Sequence, residues 1–221
     1  MMFLGVLGII VLSQKLSSYV QGATLESQKV EVVIDAGHGG ADPGKVGVND
    51  VLEKDLNLQI AKKVQRNLEK IGISVAMTRE DDQGLYDDTV SNKKLADMEK
   101  RVQMIGDVMP KVVVSIHQNS YTDSSVTGAQ VFYHGTSKEG EGLAQMLQQE
   151  LWTLNSEKKR QIKANDTYYM LRKTKVPTVI VECGFLSNYE EAQKLMEETY
   201  QEEMALAITN GIIKWLDKST E

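Results

Sequence analysis

Short apolar runs alternate with amphipathic stretches along this chain, and that alternation restricts its fold more than any other feature. The runs cover 29–34, 73–77, 112–116, 127–133 and 178–181; rich in Val and Ile, they read as strands. After the first, Leu56, Ile60, Val64 and Leu68 recur every four residues, with Lys, Glu and Gln on the opposite side, which predicts a helix over 51–71 closed by Gly72. Leu95, Met98, Val102 and Ile105 mark a second helix, and 139–154 a third. The last helix, 189–215, has Leu195, Ile208, Ile212 and Trp215 as inward candidates and a break near Thr199. Strands and helices in alternation predict an α/β protein with a mostly parallel central sheet flanked by helices on both faces and ligands at the carboxyl ends of its strands. No repeat or change of composition divides the chain, and 221 residues at 41% hydrophobic are enough for a single domain with one core.

Chemistry-bearing residues gather where strands end. The first run breaks into Asp35-Ala36-Gly37-His38-Gly39-Gly40, where glycine permits positive φ and close approach to an ion, and the imidazole supplies a metal ligand or a base. A third run ends in Ser115-Ile116-His117-Gln118-Asn119, and the run 178–181 ends at Glu182. In parallel neighbouring strands these side chains open into one crevice, joined by Glu53, the first acidic residue of the helix after strand one. Two histidines and one carboxylate with an open fourth position form a catalytic zinc set, and a second, unliganded carboxylate can serve as base. Each residue also has a plainer reading. Glu53 fits the N3 place of a capping box with Asp50 as N-cap. His117 fits a satisfied core histidine, and Glu182, if buried, requires a partner. Cys183, the single cysteine, forms no intrachain disulfide and reads as a small buried residue. His134 reads as a residue near the surface, and the four aspartates of 80–88 lack calcium-loop spacing and read as solvated.

The net charge of -6 and the absence of a basic cluster exclude nucleic acid as a partner. Lys158-Lys159-Arg160, the only basic run, reads as a solvated helix end. Residues 1–12 are apolar throughout, too few for the roughly 20 of a relaxed membrane span. Polar and small residues follow, with Val20-Gln21-Gly22 before Ala23 as a cleavage context, although a basic n-region is missing. Residues 1–25 are therefore expected to be a signal peptide or, failing cleavage, an N-terminal membrane anchor. Either way the protein is exported across the cytoplasmic membrane.

Val33-Ile34-Asp35-Ala36-Gly37-His38-Gly39-Gly40 with Asp42-Pro43-Gly44, Glu53-Lys54-Asp55-Leu56-Asn57-Leu58, Thr78-Arg79, Ser115-Ile116-His117-Gln118-Asn119 and Val181-Glu182-Cys183-Gly184-Phe185-Leu186-Ser187-Asn188 stand in one order across 29–218. Together they resemble the zinc-dependent N-acetylmuramoyl-L-alanine amidases of the Amidase_3 type. The resemblance implies a catalytic domain over 29–218 and one Zn2+ per chain on His38, Glu53 and His117. It implies Glu182 as the catalytic carboxylate and hydrolysis of the peptidoglycan amide between N-acetylmuramic acid and L-alanine. Candidate substrate contacts are Asn119, Arg79, Arg172 and Asn188, with Asn119 or Arg172 as oxyanion donor. Gln118 and Ser120 depart from the small residues that the family shows around the Asn. The stretch between His134 and Tyr168 is too short for a helix that plugs the groove.

A finer likeness to the germination-specific spore-cortex amidases of Gram-positive spore formers implies action in the cell wall or spore cortex space, ahead of muramic-δ-lactam formation. An exposed three-ligand site loses metal readily, which makes an activating protein partner a candidate. Two other functions compete: a module that binds peptidoglycan without cutting it, and a zinc peptidase acting on stem peptides. The intact ligand set and Glu182 favour the enzyme over the binding module.

Overall fold

Six strands, five of them at the predicted places, join into one sheet in the computed structural model, which describes residues 29–87, 89–154 and 159–219. The segment 1–25, read as signal or anchor, and Lys158 lie outside the described residues. The strands are β1 (Val32–Ala36), β2 (Val75–Met77), β3 (Val112–Asn119), β4 (Gln130–Tyr133), β5 (Lys163–Ala164) and β6 (Thr178–Phe185), ordered β2-β1-β3-β6-β4-β5. The first four in that order are parallel, whereas β4 runs antiparallel to β6 and carries β5 parallel to itself. A parallel strand would need a crossover of about a dozen residues, usually helical, and the stretch 120–129 between β3 and β4 contains no helix.

Helices cover both faces. They are α1 (Glu53–Glu69), α2 (Lys93–Val108), α3 (Lys138–Leu151), α4 (Tyr169–Lys173), α5 (Tyr189–Met196) and α6 (Glu198–Lys218). Val32, Ile34, Val112, Val114, Val179 and Val181 pack with α1, α3, α5 and α6 on one side. Val33 and Val113, the alternate residues, meet Ile105 of α2 and Met170 of α4 on the other. Apolar partners on both faces explain why these strands read as unbroken apolar runs. Leu56, Ile60, Val64 and Leu68 of α1 are buried as their spacing predicts, each such burial contributing about 1.5–3 kcal/mol.

Most boundaries move by a few residues from the sequence reading, and three kinds of difference bear on the architecture. Strands β3 and β6 continue to Asn119 and Phe185, so His117 and Glu182 lie within strands rather than past their ends. The last helix divides at Glu197, whose extended backbone separates α5 from α6, two residues before the expected break. Strand β5 and helix α4, two and five residues long, are too short to show a period.

Beneath the carboxyl end of β1 lies a buried ionic network. Asp35 faces α2 and accepts hydrogen bonds from Thr78 Oγ1 at 2.7 Å, Arg101 Nη1 at 2.7 Å and the Ser115 hydroxyl. Arg101 also donates to Asp97 and to the carbonyls of Ala36 and His38, each at 2.6 Å. Arg79 donates to the carbonyls of Ala36, Gly37 and Lys54 at 2.9, 3.0 and 2.7 Å. Burial opposes the charge on Asp35, but Arg101 and the hydroxyl donors outweigh it and hold the carboxyl at about 2. Because the folded value lies below the ordinary one, this group's stabilisation is present above about pH 4 and disappears as the pH falls toward 2.

Asp35→Asn should lower the unfolding free energy at pH 7 by about 1.5–3 kcal/mol, since it takes from the buried Arg101 one of its two carboxylate partners and leaves Asp97 as the other. Urea unfolding at pH 7 and pH 3 should also show a smaller pH dependence in the variant than in the wild type. A variant as acid-sensitive as the wild type would remove Asp35 from this role.

Candidate active site

The site is built where β1, β3 and β6 end and α1 begins. After Ala36 the chain turns sharply, and His38 adopts a left-handed conformation at φ 62°, a conformation that costs a non-glycine residue about 1–2 kcal/mol. Arg101, bonded to the His38 carbonyl, holds it there. The His38 ring pairs through Nδ1 with Asp42 Oδ2 at 2.9 Å, which leaves Nε2 facing Glu53 Oε1 at 3.2 Å. Asp42 in turn accepts from the Gly44 amide and from Lys94 at 3.1 Å each. Burial works against its charge, and His38 with these donors lowers the carboxyl to about 2.

Glu53 is the first residue of α1 and is 2% exposed. The capping box does not form: the N-cap is Leu52, with no side-chain cap, and Asp50 takes a left-handed φ of 63°. The Glu53 carboxylate is held instead by the Lys45 amide on Oε2 at 2.7 Å and by the Gln118 amide on Oε1 at 3.1 Å. Asn57 donates to the same Oε1 at 3.4 Å from one turn along α1. Burial opposes ionisation here too, but hydrogen bonds from His117 and His38 keep the carboxyl well below the usual carboxylate range.

His117 projects from β3, with its ring edge-on to His38 at 4.9 Å between centroids and Nδ1 3.0 Å from Glu53 Oε1. Two glycines make room for this cluster. A Cβ on Gly37 would lie 2.3 Å from the His117 ring, and one on Gly44 would lie 2.5 Å from Glu53 Oε2. His38, Glu53 and His117 each present one ligand atom, all within 4.8 Å of one another, the one group of this kind among the described residues. Two imidazoles and a carboxylate suit a borderline divalent ion. The second imidazole nitrogen of His38, paired with a carboxylate, has the partner that metal-bound histidines require. The residues present fit a metal ion.

Glu182 reaches the same place by register. It is the parallel-strand partner of His117, so both side chains rise from one face of the sheet. Its Oε2 has no hydrogen-bond partner among the described residues, while Oε1 accepts from the Tyr168 hydroxyl at 3.4 Å. Burial pushes the carboxyl up to about 7, with His117 pulling the other way. A carboxylate that titrates near neutrality, with one oxygen unpartnered, has the properties of a general base. A groove of about 380 Å³ contains His38, Glu53, His117, Glu182, Asn119 and Tyr168. It adjoins a second cavity of about 350 Å³ that shares His38 and His117 and extends past Met98 to Tyr86.

The candidate substrate contacts separate in the fold. Asn119 lines the groove, although its Oδ1 accepts from the Ser120 amide at 2.8 Å. Arg79 is buried and holds backbone carbonyls, so its guanidinium is taken up by the loop rather than offered to a ligand. Arg172 lies in a different pocket with His134, Thr136 and Lys175, beside the start of β6 rather than the Glu182 end. Asn188 caps α5 by accepting from the Glu191 amide and donates to the Ser124 carbonyl. Gln118 is buried and donates to Asn57 Oδ1. Asp82, expected to be solvated, pairs with Lys54 at 2.6 Å. Arg160 sits over the Phe185 ring and donates to the Thr127 carbonyl instead of extending into solvent. Asp42, Asn57 and Tyr168 are the site residues that the sequence reading missed. For the first two a signal existed: Asp42 lies four residues after His38, and Asn57 one helical turn after Glu53.

Comparison with known proteins agrees with this geometry. The family model of N-acetylmuramoyl-L-alanine amidase, Amidase_3, matches residues 32–214. The chain is 35% identical over 187 residues to the germination-specific N-acetylmuramoyl-L-alanine amidase of Bacillus subtilis (strain 168), spanning 83% of this chain and 78% of that protein. Among solved structures it is similar to the CwlD amidase from Clostridioides difficile in complex with the GerS lipoprotein, with a TM-score of 0.82 and 38% identity over 85% of this chain and 98% of that one. It is also similar to the amidase AmiC2 of Nostoc punctiforme, with a TM-score of 0.75 and 33% identity over 86% of this chain and 99% of that one. With its sheet, its His-Glu-His cluster and nearly the whole described chain inside that match, the protein belongs to the Amidase_3 family of N-acetylmuramoyl-L-alanine amidases.

Proposed function

We propose that this amidase hydrolyses the bond between the lactyl group of N-acetylmuramic acid and L-alanine with one Zn2+ on His38, Glu53 and His117, and that it acts in spore-cortex maturation. The register pairing of His117 with Glu182, which sets a half-partnered carboxylate beside the ligand cluster, carries the chemical reading. Zinc bound there supplies Lewis-acid polarisation of the scissile carbonyl and of a water. The chain supplies the rest. Asp42 orients the His38 ring, the Lys45 and Gln118 amides orient Glu53, and Glu182 takes a proton from the attacking water and returns it to the departing amine. The spore role rests on the likeness to the germination-specific amidase and to CwlD. The structure of CwlD with a lipoprotein supports a protein partner for this chain as well.

Elemental analysis should find one zinc per chain in the wild type and little after His117→Ala; full retention of zinc in the variant would count against the ligand set. Glu182→Gln should keep the zinc and the melting temperature but lose activity by about 100-fold or more. Activity within about tenfold of wild type would remove Glu182 from the base role. Mass spectrometry of digested muropeptides separates the three functions, because amidase cleavage frees the L-alanine amino group. Cuts inside the stem would indicate a peptidase, and no cuts a binding module.

Removal of residues 1–25 should leave catalysis in vitro intact, since β1 begins at Val32, and should abolish function in the cell. A truncated protein retained in the cytoplasm that restored normal cortex would refute export. A deletion strain with normal muramic-δ-lactam would refute the spore assignment and leave the amidase chemistry standing.

A further inference from the structure

Tyr168 is the donor that Glu182 meets among the described residues, and the surrounding chain fixes it in three ways. Its amide and that of Thr167 donate to Asn165 Oδ1 at 3.0 and 2.8 Å. The Asn165 amide is itself bonded to the Tyr133 carbonyl of β4 at 2.8 Å. The Tyr168 ring stands edge-on to Phe132 at 5.6 Å between centroids, against Leu171 and Ile180. With ring and backbone held, the hydroxyl opens into the groove and reaches Glu182 Oε1 at 3.4 Å. That distance is long for an O–H···O bond, as catalytic contacts commonly are before substrate closes a site. Burial and the neighbouring carboxylate push the phenol up to about 12, so it remains a donor across the working range of pH. Of the two residues expected from the sequence as oxyanion donors, Arg172 lies in another pocket, and Asn119 lines the groove with its Oδ1 accepting from the Ser120 amide.

We propose that Tyr168 is a positioning residue of the hydrolysis: its hydroxyl holds Oε1 of Glu182 so that the unpartnered Oε2 is the atom that moves the proton. The inference rests on the amidase reading with Glu182 as base. The water oxygen bonds to the carbonyl carbon while one of its protons passes to Oε2. As the C–N bond breaks, that proton goes to the alanine nitrogen with the bonding electron pair, and the second water proton remains with the new carboxyl group until solvent removes it. Tyr168 keeps its own proton throughout.

The test compares wild type, Tyr168→Phe, Glu182→Asp and the double variant, all zinc-loaded, on an N-acetylmuramoyl-L-alanyl peptide. Tyr168→Phe keeps the ring against Phe132 and removes only the oxygen. It should lower kcat about 10- to 100-fold, the range for losing a hydrogen bond to a charged group, with KM within about twofold and with zinc content and Tm unchanged. In the Glu182→Asp background, whose shortened carboxylate withdraws from the hydroxyl, the same change should alter kcat by less than about twofold. A kcat within about threefold of wild type, a loss confined to KM, a clearly lowered Tm or a full additive loss in the Glu182→Asp background would each overturn the inference. Failure of the wild type to cleave this substrate would show instead that the amidase reading itself is wrong, and the inference would fall with it.

Discussion

Arg101 holds the end of β1 in place, and the geometry of the site depends on that contact. A chain leaving a central strand through a left-handed histidine turns its carbonyls inward, where water cannot reach them, and an unpartnered buried carbonyl is costly. Arg101 answers the carbonyls of Ala36 and His38 with one planar group, while Asp35 and Asp97 neutralise its charge. Arg79 satisfies Ala36 again and Gly37 from another side. A lysine could not replace either residue, since a single ammonium lacks the fixed fork of donors that spans two neighbouring carbonyls. The strain at His38 is thereby offset by two buried guanidinium groups, and the imidazole is aimed before any ligand arrives.

The two glutamates of the groove show how environment divides roles between identical side chains. Glu53 collects the Lys45 and Gln118 amides, Asn57 and two imidazoles, and stays ionised despite its burial. Glu182 is equally enclosed but meets one long hydrogen bond, so burial dominates and its proton is held to near neutrality. A site that pushes two carboxyls apart in this way separates a charge-bearing ligand from a proton carrier. The division follows from place in the fold: the loop before α1 supplies the Lys45 amide and β3, where its register against β6 shifts, supplies the Gln118 amide, whereas Glu182 meets the Tyr168 hydroxyl alone among the described residues.

What was legible in the sequence was local and periodic. The four-residue repeat of Leu56, Ile60, Val64 and Leu68, and the apolar runs that became β1, β3 and β6, announced the sheet and its covering helices, and the Gly-rich break after Asp35 announced the turn at His38. The pairing of His117 with Glu182 depends on the register of two strands more than sixty residues apart in sequence, and spacing alone does not contain it. Tyr168 escaped notice because it sits beside a five-residue helix with no period, and its partner lies on another strand. The network of Asp35, Thr78, Arg101 and Ser115 likewise draws on four separate elements, so no stretch of chain displays it.

The arginines expected to grip substrate show why cations in a motif are poor guides to a ligand. Arg79 stands two residues after β2, where its guanidinium can turn under the His38 loop and bond three carbonyls. Arg172 belongs to α4, which leads away from Tyr168 at the groove to a pocket beside the start of β6. The groove that remains is lined by Asn119, Ser120, Tyr168, Tyr169 and Met98, with Lys45 and Lys94 as its cations, and Lys94 is paired with Asp42. A wall of amide, hydroxyl, phenol and thioether suits a bond that carries no charge. The junction between a sugar lactyl group and alanine is a neutral amide flanked by hydroxyl and acetamido groups, and neutral donors and acceptors recognise such a junction without the desolvation penalty of an ion pair.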